Sequence, residues 1–246
     1  MLALGLLVLT AVLLAGLTLW RRRSAVAASL RLIDAYERLN RSVGLAVENG
    51  TRLHISLGRG NFFSARGGSA LAGLAMLRRL SERTSLSDRP PVVTSGDASL
   101  AILSQDTLYS GYRAAGAQEQ YRFTTGRLIG LTPFSYAAGT LSTIHDENVS
   151  ANIVIGDLGT ESALLAEAAD RENTSLIAAS DDLSAQSVFF ASSQDPLIGE
   201  ELFAAGAYVG AGASHEASLH VQDILRWIII LAIIFGSLLK FVGAPI

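Results

Sequence analysis

The sequence predicts an α/β protein with a mostly parallel, Rossmann-like sheet, helices on both faces of that sheet, and a transmembrane helix at each end. Three observations indicate this fold class. The chain of 246 residues begins with an uncharged aliphatic run, a second apolar run lies near its end, and short apolar runs alternate with helical periodicities between them. Strands that alternate with helices form parallel sheets covered on both faces, and the length suits one such domain.

The first segment, residues 1–20, is predicted to be a transmembrane helix. Met1–Trp20 carries no charge and provides the ~20 apolar residues that cross a hydrocarbon core of ~30 Å. Arg21, Arg22 and Arg23 follow this run, whereas a cleaved signal peptide carries its positive charge before the run. Because positive residues stay inside, we expect the N-terminus outside and the middle of the chain in the cytoplasm.

The last segment, residues 214–246, is predicted to be a helix that continues into a second transmembrane segment. Its apolar core, Trp227–Leu239, makes only ~20 Å of helix, which is short for a span. Extending it to Ile246 gives about 20 residues if Lys240 reaches the interface. A helix buried in an oligomer or lying on the surface stays open as the alternative. Two spans predict a two-pass cell-membrane protein with the lipid bilayer as a partner and both termini outside.

Between these ends we predict an amphipathic juxtamembrane helix over residues 21–50 and a cytoplasmic α/β domain over residues 51–213. Apolar residues recur in the helix at steps of three and four from Val26 to Val43. The clearest strands are Leu53–Leu57, Val92–Ser95, Ala151–Ile155 and Leu176–Ala179. Tyr121–Leu131 is interpreted as a pair of short strands, and Leu183–Gly212 as helical.

Composition excludes several kinds of site. The chain has no cysteine, so disulfides and thiolate chemistry are excluded, and its one lysine, Lys240, excludes a lysine-dependent phosphate loop. The net charge is −3 with no basic block beyond Arg21–Arg23, which argues against nucleic acid as a partner. The sequence predicts no cofactor, no metal site and no catalytic residue. His54, at an alternating strand position, is expected to be a satisfied core or interface histidine.

Three aspartates each follow a predicted parallel strand: Asp97, Asp157 and Asp181. Ligands bind at the carboxyl ends of the strands in open α/β sheets, so these side chains are candidate ligand-binding residues. The alternative is that each caps the following helix by accepting backbone N–H bonds. Gly58 and Gly60, directly after a strand, resemble the first half of a dinucleotide fingerprint. The third glycine is missing and the helix begins late, so a backbone turn is the alternative.

A run of small residues from Phe203 to Ser214 contains Gly206, Gly210 and Gly212. Small residues let segments approach closely, and two membrane anchors on one domain suit lateral assembly. We therefore predict that these glycines lie at a contact between subunits of a homo-oligomer.

The segments Arg52–Gly60, Ser95–Asp97 and Gly156–Gly159 resemble a family of uncharacterised bacterial membrane proteins that is defined as a domain of unknown function. The resemblance extends over about residues 25–225 and implies a membrane-associated domain without implying an activity. The leading hypothesis is a non-enzymatic protein whose cytoplasmic domain self-assembles as a scaffold or membrane organiser. The alternatives are a small-molecule or nucleotide sensor with its ligand at the strand ends, and a metal-dependent hydrolase that uses the same carboxylates.

Overall fold

The computed structural model describes residues 2–23, 30–61, 63 and 67–241, and it divides the chain into two compact units. One unit, the anchor unit, comprises residues 1–30 and 212–246. The other, the α/β unit, comprises residues 31–211. The α/β unit therefore includes the segment just before the first strand, which the sequence assigned to a juxtamembrane helix.

Six parallel strands form one sheet in the order β3-β2-β1-β4-β5-β6. Their bounds are β1 Arg52–Gly58, β2 Val92–Ser95, β3 Gly126–Leu128, β4 Val149–Asp157, β5 Ser175–Ser180 and β6 Leu197–Ile198. The order places β1 between β2 and β4, so the chain builds one half of the sheet outward from β1 and then returns to build the other. This is the doubly wound arrangement, and the predicted fold class is confirmed.

Helices cover both faces of the sheet, as predicted. They are α2 Asp34–Glu48, α3 Gly67–Thr84, α4 Ala98–Ala114, α5 Pro133–Asp146, α6 Ser162–Arg171, α7 Leu183–Ser192 and α8 Ala205–Tyr208. The first face packs α2, α3 and α4 on an aliphatic layer that includes Leu53, Ile55 and Ile153. The second face packs α5, α6 and α7 on a smaller apolar cluster that includes Val154 and Ala178. Burial of these aliphatic side chains is the main stabilising term of the sheet.

Two parts of the chain differ from the prediction. Tyr121–Leu131 holds a single strand, β3, preceded by short 3-10 turns at Gln118–Gln120 and Phe123–Thr125, because only one side of β2 is left to pair. The stretch 183–212 is not one helical region: α7 is followed by β6, a 3-10 helix at Gly199–Ala204, and α8. Pro196 precedes β6 and removes a backbone donor, which prevents α7 from continuing through it.

α2 packs its apolar stripe on the sheet. Tyr36, Leu39 and Val43 are at most 2% exposed and lie in the same core as β1 and β4. The helical periodicity of the prediction is therefore real, and the face it defines covers the sheet. The helix is shorter than predicted at its start: residues 30–33 are not helical, Ile33 has extended backbone, and α2 begins at Asp34. The predicted start near residue 25 lies outside the described residues.

The anchor unit consists of α1 Leu2–Arg23 and α9 Ala213–Phe241, which pack against each other. Both are long and apolar enough to cross a membrane, with mean hydropathies of 2.3 and 2.2. Arg21, near the end of α1, lies 2.8 Å from His220 Nε2 and 3.8 Å from Glu216, near the start of α9. These contacts join the end of one helix to the start of the other, so the two run antiparallel. The predicted extension through residues 242–246 lies outside the described residues.

The chain enters and leaves the α/β unit at one place. Tyr208 of α8 stacks on Tyr36 of α2 with ring centroids 4.5 Å apart, and its hydroxyl donates to the Arg31 carbonyl at 2.6 Å. Arg31 in turn donates to Glu201 at 2.5 Å, and the Tyr36 hydroxyl donates to the Glu201 carbonyl. We call these four residues the junction. It lies at the carboxyl edge of the sheet, because α2 runs toward the amino end of β1 and the Glu201 turn follows the carboxyl end of β6.

Candidate functional site

The carboxyl edge of the sheet brings together three of the predicted ligand-binding residues. Gly58 ends β1 opposite Asp157 of β4, at the point where the strand order reverses. A Cβ on Gly58, whose φ is +71°, would lie 2.5 Å from the Asp157 carbonyl oxygen, and one on Gly60 would lie 2.8 Å from the Asp157 Cβ. These two glycines therefore let the ends of β1 and β4 touch. That role is sufficient to require glycine at both positions.

The other two predicted residues are farther along the same edge. Asp97 caps α4: its Oδ1 accepts from the backbone N–H groups of Ser99 at 2.9 Å and Leu100 at 3.1 Å. The capping alternative is thus confirmed for Asp97. Asp181 is half-buried in the turn after β5, and its neighbour Asp182 caps α7 through the Ser184 N–H at 2.9 Å. A ligand role for Asp157 and Asp181 stays a prediction.

A buried ion pair lies at the same, carboxyl edge of the sheet. Arg59 Nε donates to Glu161 Oε1 at 2.7 Å, and the Glu161 side chain is only 2% exposed. Burial alone would raise the pKa of Glu161, but hydrogen bonds from the Gly159 backbone and from Arg59 outweigh burial and hold the pKa below its ordinary value. The carboxylate thus sits at the start of α6, where the positive end of the helix dipole and the backbone hydrogen bond from Gly159 favour an anion. The protein's own carboxylate occupies this position.

Polar side chains on the second face of the sheet, together with Tyr136 of α5, form a buried network between the two edges. His54, fully buried, lies 2.9 Å from Asn152 Oδ1 and 2.9 Å from Thr94 Oγ1. The Tyr136 hydroxyl lies 2.7 Å from Ser56 Oγ and 3.3 Å from Thr94 Oγ1. Burial lowers the pKa of His54 from 6.5 to about 4 and outweighs the opposing hydrogen bond to Asn152. His54 is thus a satisfied, neutral core histidine, as predicted.

The glycines predicted at an oligomer contact have local roles. Gly206 is buried in α8, whose neighbours Ala205 and Val209 belong to the main core. Gly210 and Gly212 are exposed and adopt positive φ values of +73° and +123°, where the chain leaves α8 and starts α9. Glycine favours such backbone angles at helix ends. A contact between subunits through these residues stays a prediction.

The opposite, amino edge of the sheet contains a cavity of about 830 Å³. Its wall is built from segments that precede or begin β1 to β4, together with the end of α4. The charged wall residues are Arg52, Asp88, Glu119, Arg122, Arg127 and Glu147. The volume falls in the range of about 300–1,000 Å³ that is typical of small-molecule sites.

The floor of this cavity carries an ion triad. Glu147, just before β4, accepts hydrogen bonds from Arg52 at the start of β1 and from Arg127 of β3 at 2.5 Å. The Arg52 and Glu147 side chains are 19% and 20% exposed. Burial by itself would raise the pKa of Glu147, yet the two guanidinium groups hold it below its ordinary value. Two positive charges therefore share one negative charge.

Polar atoms around the cavity lack partners among the described residues. Arg52 Nε and Ser87 Oγ are buried and accept or donate no hydrogen bond there. Tyr112, a wall residue that is 1% exposed, comes from α4. Burial raises the pKa of Tyr112 to about 12, against the opposing effect of Arg52, so its hydroxyl stays neutral and can donate. Buried polar groups are normally paired, so unpaired ones around a cavity indicate a ligand or ordered water.

Sequence reasoning missed this cavity because its residues come from separate segments. Arg52, Tyr112, Arg127 and Glu147 belong to four different segments of the chain. One signal was present: residues of opposite charge, Arg52 and Glu147, stand at or just before the first position of β1 and β4. Searching those positions for opposite charges would have identified the triad.

The fold and its two edges define a doubly wound α/β protein flanked by two apolar helices. The chain belongs to the family described as a domain of unknown function (DUF6754), which matches residues 1–246. No curated protein and no solved structure matches the chain. The resemblance to a domain of unknown function is thereby confirmed, while its bacterial origin and membrane location stay predictions. Within the described ranges, no group of three or more His, Asp or Glu side chains could hold a metal ion.

Proposed function

We propose that the protein is a two-pass membrane protein whose cytoplasmic α/β unit is a non-enzymatic sensor of a small molecule, with the ligand in the amino-edge cavity. The observation that carries the proposal is the set of buried polar atoms without partners around that cavity. Arg52 Nε can only donate, so it requires an acceptor that the described residues do not provide. Leaving a buried donor unsatisfied costs about 1–3 kcal/mol, which a bound ligand would recover.

The membrane topology follows from charge and length. Arg21, Arg22 and Arg23 end α1, and positive residues concentrate on the cytoplasmic side of membrane helices. With α1 and α9 both crossing the bilayer, the α/β unit between them lies in the cytoplasm and both termini lie outside. The apolar parts of both helices are uncovered, as lipid-facing helices require.

The junction supports a sensing role over a purely structural one. Both connections to the membrane helices leave the α/β unit at the carboxyl edge, where Tyr208 binds Arg31. A ligand at the amino edge contacts the starts of β1, β3 and β4, and β4 runs from that edge to the other. A change in strand packing on binding would therefore reach the point where the chain enters and leaves the α/β unit.

The test compares a blocked cavity with an intact one. We expect members of a broad metabolite panel to raise the melting temperature of the full chain in mild detergent, because a ligand that binds only the folded state stabilises it. Ser87→Trp, on the cavity wall, should abolish these shifts. The matched control, Ser187→Trp on the exposed side of α7, should retain them. Ligand shifts that survive Ser87→Trp would place binding elsewhere and refute the proposal.

Self-assembly remains a second candidate because of the outer surface of the anchor unit. Ala11 and Ala15, the small residues four apart in α1, are exposed along this helix. Such a surface lets a second copy approach closely in lipid. Native mass spectrometry in mild detergent should then show a discrete oligomer that Ala11→Leu together with Ala15→Leu dissociates. A monomer at micromolar concentration would remove this candidate.

A further inference from the structure

We infer that the ligand of the amino-edge cavity is a small organic anion whose carboxylate or phosphate group binds Arg52 and Arg127 beside Glu147. The inference rests on the proposed function and adds the chemical class of the ligand. It depends on the charge of the cavity floor, the kind of unpaired polar atoms there, and the size of the space.

The floor lacks one negative charge. Arg52 and Arg127 both donate to Glu147, which leaves a net charge of +1 among three partly buried side chains. One monoanionic group beside Glu147 would neutralise the floor. This neutralisation should stabilise the bound state, because an uncompensated charge is costly where water cannot solvate it fully.

The cavity as a whole carries no net positive charge. The distribution of its charges therefore determines what charge we expect on the rest of the ligand. Asp88, Glu119 and Arg122 line the cavity but are exposed, so they form its rim and sum to −1. An anion that enters fully thus ends on the positive floor and leaves its remainder beside an acidic rim. The remainder of the ligand should be neutral and polar or carry a positive charge.

The unpaired atoms favour an acceptor-rich group. Of the unpaired atoms, Arg52 Nε–H is a donor only and the Ser87 hydroxyl can donate. The wall residue Tyr112 adds another hydroxyl that can donate. Carboxylate and phosphate oxygens accept several hydrogen bonds at once, and bonds from a guanidinium to such oxygens are among the strongest in proteins. A cation or a donor-rich ligand would leave Arg52 Nε unpaired.

One effect opposes an anion here. α3, α4 and α5 end at the amino edge, and the carbonyl groups at helix C-termini favour cations. That effect fades within the last helical turn and is weaker than a direct guanidinium hydrogen bond. The two arginines therefore determine the sign of the group that binds.

The volume is larger than a simple inorganic ion fills. About 830 Å³ accommodates a molecule of metabolite size, with the anionic group filling only the floor.

The experiment measures binding of matched pairs to the full chain in mild detergent by isothermal titration calorimetry. The panel contains carboxylates and phosphomonoesters, each with its neutral counterpart, such as succinate with succinamide and glucose 6-phosphate with glucose. We expect anions to bind and their neutral counterparts not to, and we expect added salt to weaken binding. Arg52→Gln should weaken anion binding about tenfold, while the exposed control Arg171→Gln should not change it.

The variant Glu147→Gln distinguishes an effect of the floor charge on anion binding from damage to the fold. Removing the carboxylate raises the floor charge to +2, so this variant should bind anions several-fold more tightly, whereas a misfolded variant would bind less. Tyr112→Phe, which removes one donor and keeps the ring, should weaken binding a few-fold. If neutral members bind as well as anions and Arg52→Gln has no effect, the anion assignment fails and the sensor proposal stands. If no member of either kind binds, both fail.

Discussion

The two edges of the sheet differ in how their polar groups are paired and in what those groups surround. At the carboxyl edge, Asp97 caps a helix and Arg59 is paired with the buried Glu161, while the buried Ser95 Oγ at the end of β2 has no partner among the described residues. At the amino edge, Arg52 Nε and Ser87 Oγ stay unpaired beside a cavity. Doubly wound sheets ordinarily bind ligands at the carboxyl edge. The difference teaches that unpaired polar groups which also line a cavity indicate a candidate site, even at the edge where the convention for strand ends does not place one.

Breaking the Arg59–Glu161 pair should give the largest effect. Arg59→Met leaves a buried carboxylate without its counter-charge, so we expect the free energy of unfolding to fall by about 3 kcal/mol. The double variant Arg59→Met with Glu161→Gln should recover most of the loss. Because the chain has no cysteine, Ser104→Cys places a single buried thiol in the α/β unit, and its labelling in urea measures unfolding. A loss below 1 kcal/mol would show that Arg59 contributes little to stabilising the buried Glu161 carboxylate.

The buried polar network around His54 should give the next effect on stability, and this effect should depend on pH. His54 is neutral when folded, because its pKa falls from 6.5 to about 4. The unfolded chain therefore binds more protons between these values, and stability should fall as pH drops from 6.5 to 4, by up to about 3 kcal/mol. Thiol labelling across this range should show that His54→Gln, which does not titrate, lacks this slope. An equal slope in both proteins would mean that another group causes it.

Removing the helix cap should cost less. Asp97→Ala leaves two N–H groups at the start of α4 without their acceptor, so stability should fall by about 1 kcal/mol. Asp97→Asn keeps an accepting oxygen and should lose only a fraction of that amount. The same thiol-labelling measurement compares them. If Asp97→Ala costs nothing yet abolishes ligand shifts, the carboxyl-edge ligand site regains support.

The smallest effect on stability is expected at the amino edge. Arg52→Gln removes one of the two arginines that donate to Glu147, together with an Nε–H that has no partner among the described residues, and leaves Glu147 paired with Arg127, so the loss should stay below about 1 kcal/mol. Comparing this variant with Arg59→Met tests the contrast directly, since both remove one arginine from an ion pair. A loss as large as that of Arg59→Met would show that Arg52 is mainly structural.

The sequence predicted most of the fold because its signals are local. Alternation along Leu53–Leu57 and the apolar run Ala151–Ile155 define strands, and Asp97 before a helical stretch defines a cap. β6 is two residues long and gives no periodic signal, so the 183–212 region was predicted as helical. The cavity depends on the order of strands in space, which brings Arg127 of β3 to Glu147 before β4. Strand order is a non-local property that no window of sequence contains.

The junction has a further consequence for how the protein can be rearranged. The first and last segments of the α/β unit are one hydrogen bond apart, from the Tyr208 hydroxyl to the Arg31 carbonyl at 2.6 Å. In sequence the α/β unit is thus inserted between α1 and α9, and its first and last segments lie next to each other. Ends this close allow circular permutation and transfer between hosts with short connecting segments. Residues 31–211 can therefore be joined to a different pair of flanking helices through short connecting segments.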